Sequence, residues 1–287
     1  MQTLPVYKIE NFEFYHSSFY ARRLKDHIEK HGFIQHPHKH DFYLAVLFTQ
    51  GTGTHEIDFT SYPVAKGAVF LMNPGQVHRW TLTDDTEGYI FFHTKEFYDI
   101  TCANKRINDF TFFSSAGVSP FVLLNDEQLV QAEALFKRIF NQNQATDSIH
   151  KFETLGALCN LLYLDIEGVY SRKETVSKQS TLYLHKLNTL RQLIDLNYTL
   201  LKYPKDYAAL MSISAKHLNR ICIETVGKTT GDLISERLVL EAKRVLAYSD
   251  KPIKQIAEQL GFDDSAYFIR FFKKHTAQTP AKFQSGF

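Results

Sequence analysis

One pattern near the carboxy end occurs twice, and it constrains the fold more than any other feature of the 287 residues. In residues 252–275, PIKQIAEQLGFDDSAYFIRFFKKH, the residues Ile253, Ile256, Ala257 and Leu260 set an apolar stripe on a short helix. Gly261 ends that helix, because a tight turn needs the left-handed backbone that glycine adopts without a steric cost. Phe262 plugs the angle between two helices, and Asp263 or Asp264 caps the second one. Phe268, Phe271 and Phe272 are expected on its buried side, with Ile269 and Arg270 elsewhere. This is the grammar of a helix-turn-helix. Residues 204–225, PKDYAALMSISAKHLNRICIET, repeat it. Ala208 stands where the later copy has Ala257, Ile213 matches Phe262, and Ser214 caps the second helix. Leu218-Asn219-Arg220 corresponds to Phe268-Ile269-Arg270, with one extra residue in the later turn. Arg220 and Arg270 are 50 residues apart, and a helix over Leu233–Ala247 spaces the two units.

Charge divides the chain in the same place. Residues 181–287 hold 16 Lys+Arg against 10 Asp+Glu, whereas residues 1–180 hold 17 against 21. A basic half suits a polyanionic partner. Ten of the 13 histidines lie in the acidic half. The three cysteines, Cys102, Cys159 and Cys222, are far apart and form neither a disulfide framework nor a metal-type spacing. The first residues carry acidic groups and no continuous apolar run, so neither a signal peptide nor a membrane anchor is expected. A cytoplasmic location follows as the expectation.

On the residues Ile253-Lys-Gln-Ile-Ala257, Gly261-Phe262, Tyr267-Phe268-Ile-Arg270-Phe271-Phe272-Lys273-Lys274 and Thr279-Pro280-Ala-Lys-Phe283, the segment 187–287 resembles the DNA-binding domain of the AraC family of bacterial transcription regulators. The resemblance implies two recognition helices entering successive major-groove segments of double-stranded DNA. It also implies Lys216, Asn219 and Arg220 as base- or phosphate-facing residues of the first helix, and Ser265, Ala266, Tyr267 and Arg270 of the second. Arginine suits guanine O6/N7 and asparagine suits adenine, each through two hydrogen bonds, while the Ala266 methyl suits thymine. Lys216, Lys273 and Lys274 equally suit phosphates. Tyr267 belongs either to this surface or to the core beside Phe268, and Arg270 either faces DNA or pairs with Asp263 or Asp264. The first copy departs from the common pattern, with Met211-Ser212 where glycine is frequent and Cys222 where an aromatic is usual.

Residues 7–100 read as strands: Tyr43–Phe48, His55–Phe59, Val69–Met72, Val77–Leu82 and Tyr89–Phe92, with a hairpin signal at Gln50-Gly51-Thr52-Gly53. Short strands at this spacing predict a β-barrel or sandwich. From about 126 the period becomes helical, through Leu129, Ala132, Leu135, Phe136, Ile139 and Phe140, and again through Phe152, Leu155, Leu158, Cys159, Leu162, Tyr163 and Ile166. The polar stretch Ser171–Ser180 reads as a linker. After it Leu187, Leu190, Leu193, Ile194 and Leu196 form one stripe, and Pro204 opens the next helix. The expected fold class is therefore two-domain α+β. A cupin-like β-barrel with flanking helices spans 1–170, a linker spans 171–181, and an all-α domain with two helix-turn-helix motifs spans 182–287.

His36-Pro-His38-Lys-His40-Asp41-Phe42-Tyr43 and Asn73-Pro74-Gly75-Gln-Val-His78-Arg-Trp80 resemble the cupin-like sensor domain of the same family, which implies a small-molecule effector inside the barrel. His38, His40, His78 and Trp80 are the candidate effector residues, with Phe12 and Tyr15 from an aromatic amino-terminal segment that is either an edge strand or an arm over the pocket. Its aromatic character suits a sugar or another small metabolite, or an acyl chain. Alternate histidines on one strand point the same way, and with His78, His55 or His93 they have the composition of a metal site. Enzyme cupins usually add a glutamate where Leu44 stands, so no metal and no cofactor are expected. The apolar faces of the helices at 126–141 and 150–170 either cover the barrel or, as the resemblance implies, pair one of the helices with its twin in a homodimer, and RNA polymerase is a partner if the output is activation. An effector-responsive regulator is the leading reading. The alternatives are a cupin-type metalloenzyme fused to a DNA-binding module, and a regulator whose barrel only dimerises. No Ser/His/Asp set, phosphate-cradling glycine loop or paired carboxylate calls for catalysis.

Overall fold

A computed structural model describes residues 4–12, 18–32, 36–102, 105–113, 118–145, 149–171 and 178–286. The chain divides into two compact units, Pro5–Thr175 and Val176–Phe287.

The first unit is built on two sheets. Strands β1 (Val6–Tyr7) and β2 (Phe19–Arg23) precede helix α1 (Leu24–Lys30). Then come β3 (Lys39–His40), β4 (Tyr43–Gln50), β5 (Gly53–Ile57), β6 (Thr60–Val64), β7 (Ala68–Met72), β8 (His78–Leu82) and β9 (Glu87–His93). Helix α2 (Lys95–Thr101), strand β10 (Phe121–Leu123) and helices α3 (Asp126–Gln144) and α4 (Lys151–Ser171) complete it. One sheet runs β10-β7-β4-β9-β2 and the other β6-β5-β8, while β1 pairs in parallel with β3. The larger sheet is buried on both faces, which explains why YLAVLF is continuously apolar rather than alternating. Ala45, Leu47, Leu71 and Phe91 pack with α3 and α4. Leu44, Val46, Phe48, Phe70 and Phe92 point to the other face, toward Ile57, Val64 and Trp80 of the smaller sheet.

Several strand expectations need correction. Gln50–Gly53 is no hairpin: β4 pairs with β7 and β9, and β5 pairs with β6 and β8, so the chain changes sheets there. The tight hairpin is at Asp58-Phe59, inside the stretch expected to be strand, with both residues at positive φ (46° and 70°). Two successive positive φ values give the turn whose twist matches paired strands. The amino-terminal aromatics split between two roles: Phe19 and Tyr20 belong to edge strand β2, whereas Phe12 precedes it and packs over the interior. Phe14 and Tyr15 lie outside the described residues.

The second unit is helical: α5 (Lys178–Asn197), α6 (Pro204–Leu210), α7 (Ala215–Val226), α8 (Thr230–Tyr248), α9 (Ile253–Gln259), α10 (Ser265–Thr276) and α11 (Pro280–Gln284). Helix α5 begins at Lys178, so the end of the stretch expected as linker is helical. Leu187, Leu190 and Ile194 enter the core, but Leu196 is exposed, because it lies about 150° around the helix from the centre of the Leu187–Ile194 face. Thr229 and Asp232 form a capping box that starts α8. Arg237 on α8 donates to Asp195 on α5 at 2.7 Å and to Glu241 at 2.9 Å, and lies over the Tyr198 ring at 4.1 Å. This ties the long spacing helix to the first helix of the unit. Among the described residues no helix is long and apolar enough to cross a membrane.

Candidate DNA-reading helices and effector pocket

Helices α7 and α10 are built alike. Each is 12 residues long. Ser214 caps α7 through its side chain, accepting from the His217 N–H; Asp264 caps α10, accepting from the Ala266 N–H at 2.8 Å. Each ends on a left-handed residue, Gly227 (φ 67°) and Ala277 (φ 61°). Counted from the caps, Arg220 and Arg270 therefore hold the same place. The preceding turns also agree. Ser212 (φ 54°) occupies in the first copy the left-handed position that Gly261 (φ 72°) occupies in the second. Ala208 and Ala257 are both buried, as are Leu218 and Phe268.

The buried side of α7 holds Leu218, Ile221 and Cys222, and that of α10 holds Phe268 and Phe272. Phe271 is only half-buried, a correction explained by its position on the flank of the stripe, against Phe262 at 5.3 Å and His275 at 4.7 Å. Lys216, Arg220, Ala266, Arg270, Lys273 and Lys274 are exposed, and Ser265 is half-buried. Tyr267 is 51% exposed, with its ring 5.8 Å from that of Phe262. Arg220 Nη2 donates to His217 Nδ1 at 2.9 Å, and its Nε lies 4.0 Å from Glu224. Arg270 stands 3.9 Å from Asp264, with 69% of its side chain in solvent. Such an exposed, loose pair contributes little and leaves the guanidinium available. Asn219 departs from expectation. Its Oδ1 accepts the Thr230 N–H at 3.0 Å, so it supports the start of α8 and is not poised for a two-point adenine contact.

In the first unit the sheets bring Phe12, His38, His40, His78 and Trp80 into one aromatic cluster. His78 lies 4.3 Å from His38, 5.2 Å from His40 and 5.4 Å from Trp80, ring centre to ring centre. Phe12 stacks edge-on against Phe42 at 5.9 Å, and Phe42 lies flat on His40 at 4.3 Å. His55 and His27 join them, the first through a 2.9 Å bond from its Nε2 to His78 Nδ1, the second through its ring beside Phe12. Sequence reasoning missed His27 because it sits on α1, a seven-residue helix with no marked periodicity. The expected three-histidine strand is shorter than supposed: β3 covers only Lys39–His40, and His36 is exposed. His93 faces the other side of the sheet, where its Nε2 meets the Tyr163 hydroxyl at 2.8 Å.

Burial holds these rings neutral. It lowers His40 to about 3 and pushes His55 and His78 well below the ordinary histidine value, with neighbouring histidines adding to the effect. Neutrality fixes the tautomers. His40 Nδ1 and His38 Nδ1 face the carbonyls of Phe42 (2.9 Å) and His36 (2.8 Å), so each Nδ1 carries the proton and each Nε2 is an acceptor. His40 Nε2, His55 Nδ1, His78 Nε2 and Trp80 Nε1 are buried without a hydrogen-bond partner. Trp80 also borders a cavity of about 730 Å³ between α1 and β8, lined by Lys25, Ile28, Glu29 and Leu82 among others. Among the described residues no group of three or more His, Cys, Asp or Glu side chains is arranged to hold a metal ion.

Comparison with known proteins agrees with both halves. The helix-turn-helix domain family matches residues 207–286, and the AraC-like ligand binding domain family matches residues 19–159. The chain is 24% identical over 262 residues to the HTH-type transcriptional activator RhaS of Klebsiella pneumoniae, covering 87% of each. It is 20% identical over 262 residues to the arabinose operon regulatory protein of Escherichia coli, covering 88% of this chain and 84% of that one. Among solved structures, ToxT from Vibrio cholerae aligns over 93% of this chain and 98% of its own, at 14% identity and a TM-score of 0.44. A paired helix-turn-helix unit joined to a ligand-binding β domain defines a DNA-binding transcription regulator. The chain belongs to the AraC family of these regulators.

Proposed function

We propose that this regulator reads a bipartite operator with α7 and α10, under the control of a neutral, hydroxyl-bearing small molecule bound at the histidine cluster, and does so as a homodimer. The matched construction of α7 and α10 carries the reading. Two recognition helices with an arginine at the same place, spaced by α8, suit major-groove segments about one DNA turn apart, on the order of 34 Å. Arg220 and Arg270 serve as the guanine-reading pair. Lys216, Ser265, Ala266 and Tyr267 line the same exposed faces, and Lys273 and Lys274 suit phosphates.

The effector's chemistry follows from the orphaned polar atoms. His40 Nε2 needs a donor, and Trp80 Nε1 needs an acceptor. In the His55–His78 pair one proton lies between the rings, so one of the two outer nitrogens donates and the other accepts. Hydroxyl groups meet both demands. Among the described residues of this unit no Asp, Glu, Lys or Arg side chain is buried, so the part of a ligand that reaches the histidine cluster finds no countercharge, and charged groups such as Lys25 and Glu29 stand only at the adjoining cavity. The aromatic walls suit the apolar faces of a sugar.

The homodimer rests on α4. Ala157, Leu161, Leu164 and Gly168 form an outward apolar stripe, with the two leucines 45% and 44% exposed. Its order, small-large-large-small, is the same in both directions, as a two-fold antiparallel pairing requires.

The test is selection of bound sequences from random duplexes by the full chain, with Arg220→Ala and Arg270→Ala in parallel across a salt titration. The reading expects a two-part motif in which each substitution relaxes a different half. Retention that depends only on salt, with no enriched sequence, would overturn it.

A further inference from the structure

We propose that Ile223 is a specificity-determining residue of the first recognition helix and reads the 5-methyl group of a thymine. The inference rests on the placement of α7 in a major groove. The engagement of Asn219 with Thr230 turns that side chain toward α8. The outward stripe of α7 then consists of Lys216, Arg220 and Ile223, at helical spacings of four and three. Ile223 is 48% exposed, one turn beyond Arg220. A lone exposed isoleucine is ordinary on a protein surface, but this one stands on the helix and the stripe that face the bases.

The matched helix sharpens the point. Counting from Ser214 and Asp264, Ile223 holds the place that Lys273 holds in α10, and Glu224 the place of Lys274. Where α10 ends in two exposed cations suited to phosphates, α7 presents an apolar group and a carboxylate. A phosphate gives an isoleucine nothing. On the base edges of the major groove the methyl group of thymine is the apolar feature, and it distinguishes A·T from the other pairs. The two helices thus divide the work: α10 adds backbone attraction, and α7 adds a methyl contact beside the guanine-reading Arg220.

The test replaces each thymine of the selected operator, one at a time, by deoxyuridine, which removes only the methyl. Wild-type chain and Ile223→Ala are compared, with thymines of the α10 half-site as internal control. At one or two positions of the α7 half-site the wild type should lose roughly 4-fold in affinity, the value of one buried methyl. Ile223→Ala should be indifferent at those positions while keeping its full response elsewhere. Equal responses of both proteins at every thymine would overturn the assignment and leave the two-helix reading standing. Failure to recover any two-part operator would overturn both.

Discussion

Lys202 Nζ donates to the Leu260 carbonyl at 3.0 Å, so the segment leaving α5 holds the last turn of α9. The same ammonium donates to Thr199 at 2.8 Å and lies 5.0 Å from the Phe262 ring. It joins two orphan helix-end carbonyls to the residue that plugs the second helix-turn-helix. Lys202→Met, which keeps the stem and removes the donors, should destabilise the helical unit by about 1–2 kcal/mol. Urea titration of the full chain, followed by a probe in that unit, measures it.

The two turns should respond to substitution with opposite signs. Gly261 sits at φ 72°, and a Cβ there would lie 1.8 Å from the Thr199 carbonyl oxygen. Gly261→Ala should cost about 3 kcal/mol or more and weaken DNA binding through misplacement of α10. Ser212 adopts nearly the same backbone (φ 54°) with a side chain present. Ser212→Gly should stabilise by about 0.5–1 kcal/mol, since relief of left-handed strain exceeds glycine's entropic cost. Thermal melts of the two variants against wild type check both signs.

Acid should weaken the sensor unit. His40 is buried with its pKa lowered to about 3, and His55 and His78 are lowered in the same direction. The unfolded chain therefore takes up their protons near pH 6.5 while the folded one refuses them, and stability is lost as pH falls below that value. Each such histidine contributes a slope of about 1.4 kcal/mol per pH unit until its folded pKa is reached. Denaturation midpoints between pH 7 and 5 should show this decline, and His40→Gln should reduce the slope by one proton's worth.

The pattern of apolar spacing told most of the helical unit in advance, because caps, turns and stripe lie within one short stretch of chain. The places of Ser214, Gly261 and Phe262 follow from local chemistry alone. The sensor unit was less legible. Which sheet a strand joins depends on long-range pairing, so Gln50–Gly53 looked like a hairpin although the chain there crosses between sheets. Both faces of the larger sheet are buried, which hid the fact that His93 and Phe92 point in opposite directions. Asn219 misled for a similar reason: its partner, the Thr230 N–H, is 11 residues away on the next helix.

If α4 pairs as proposed, replacing Leu164 by glutamate should separate the proposed dimer without unfolding the protomer, since the side chain is already 44% exposed. Sedimentation velocity should show a shift toward monomer. Binding to a single operator should persist, while the gain from two adjacent operators should vanish with the loss of linkage.

If α7 and α10 read one operator as a rigid pair, inserting five base pairs between its halves tests this most directly. The insertion turns one half-site by about half a helical turn relative to the other. A rigid pair should then lose roughly two orders of magnitude or more in affinity, falling toward sequence-independent binding. Restoring a full turn, with about ten base pairs, should not rescue it, because α8 fixes the distance as well as the angle. Undiminished affinity for the five-pair insertion would contradict the account.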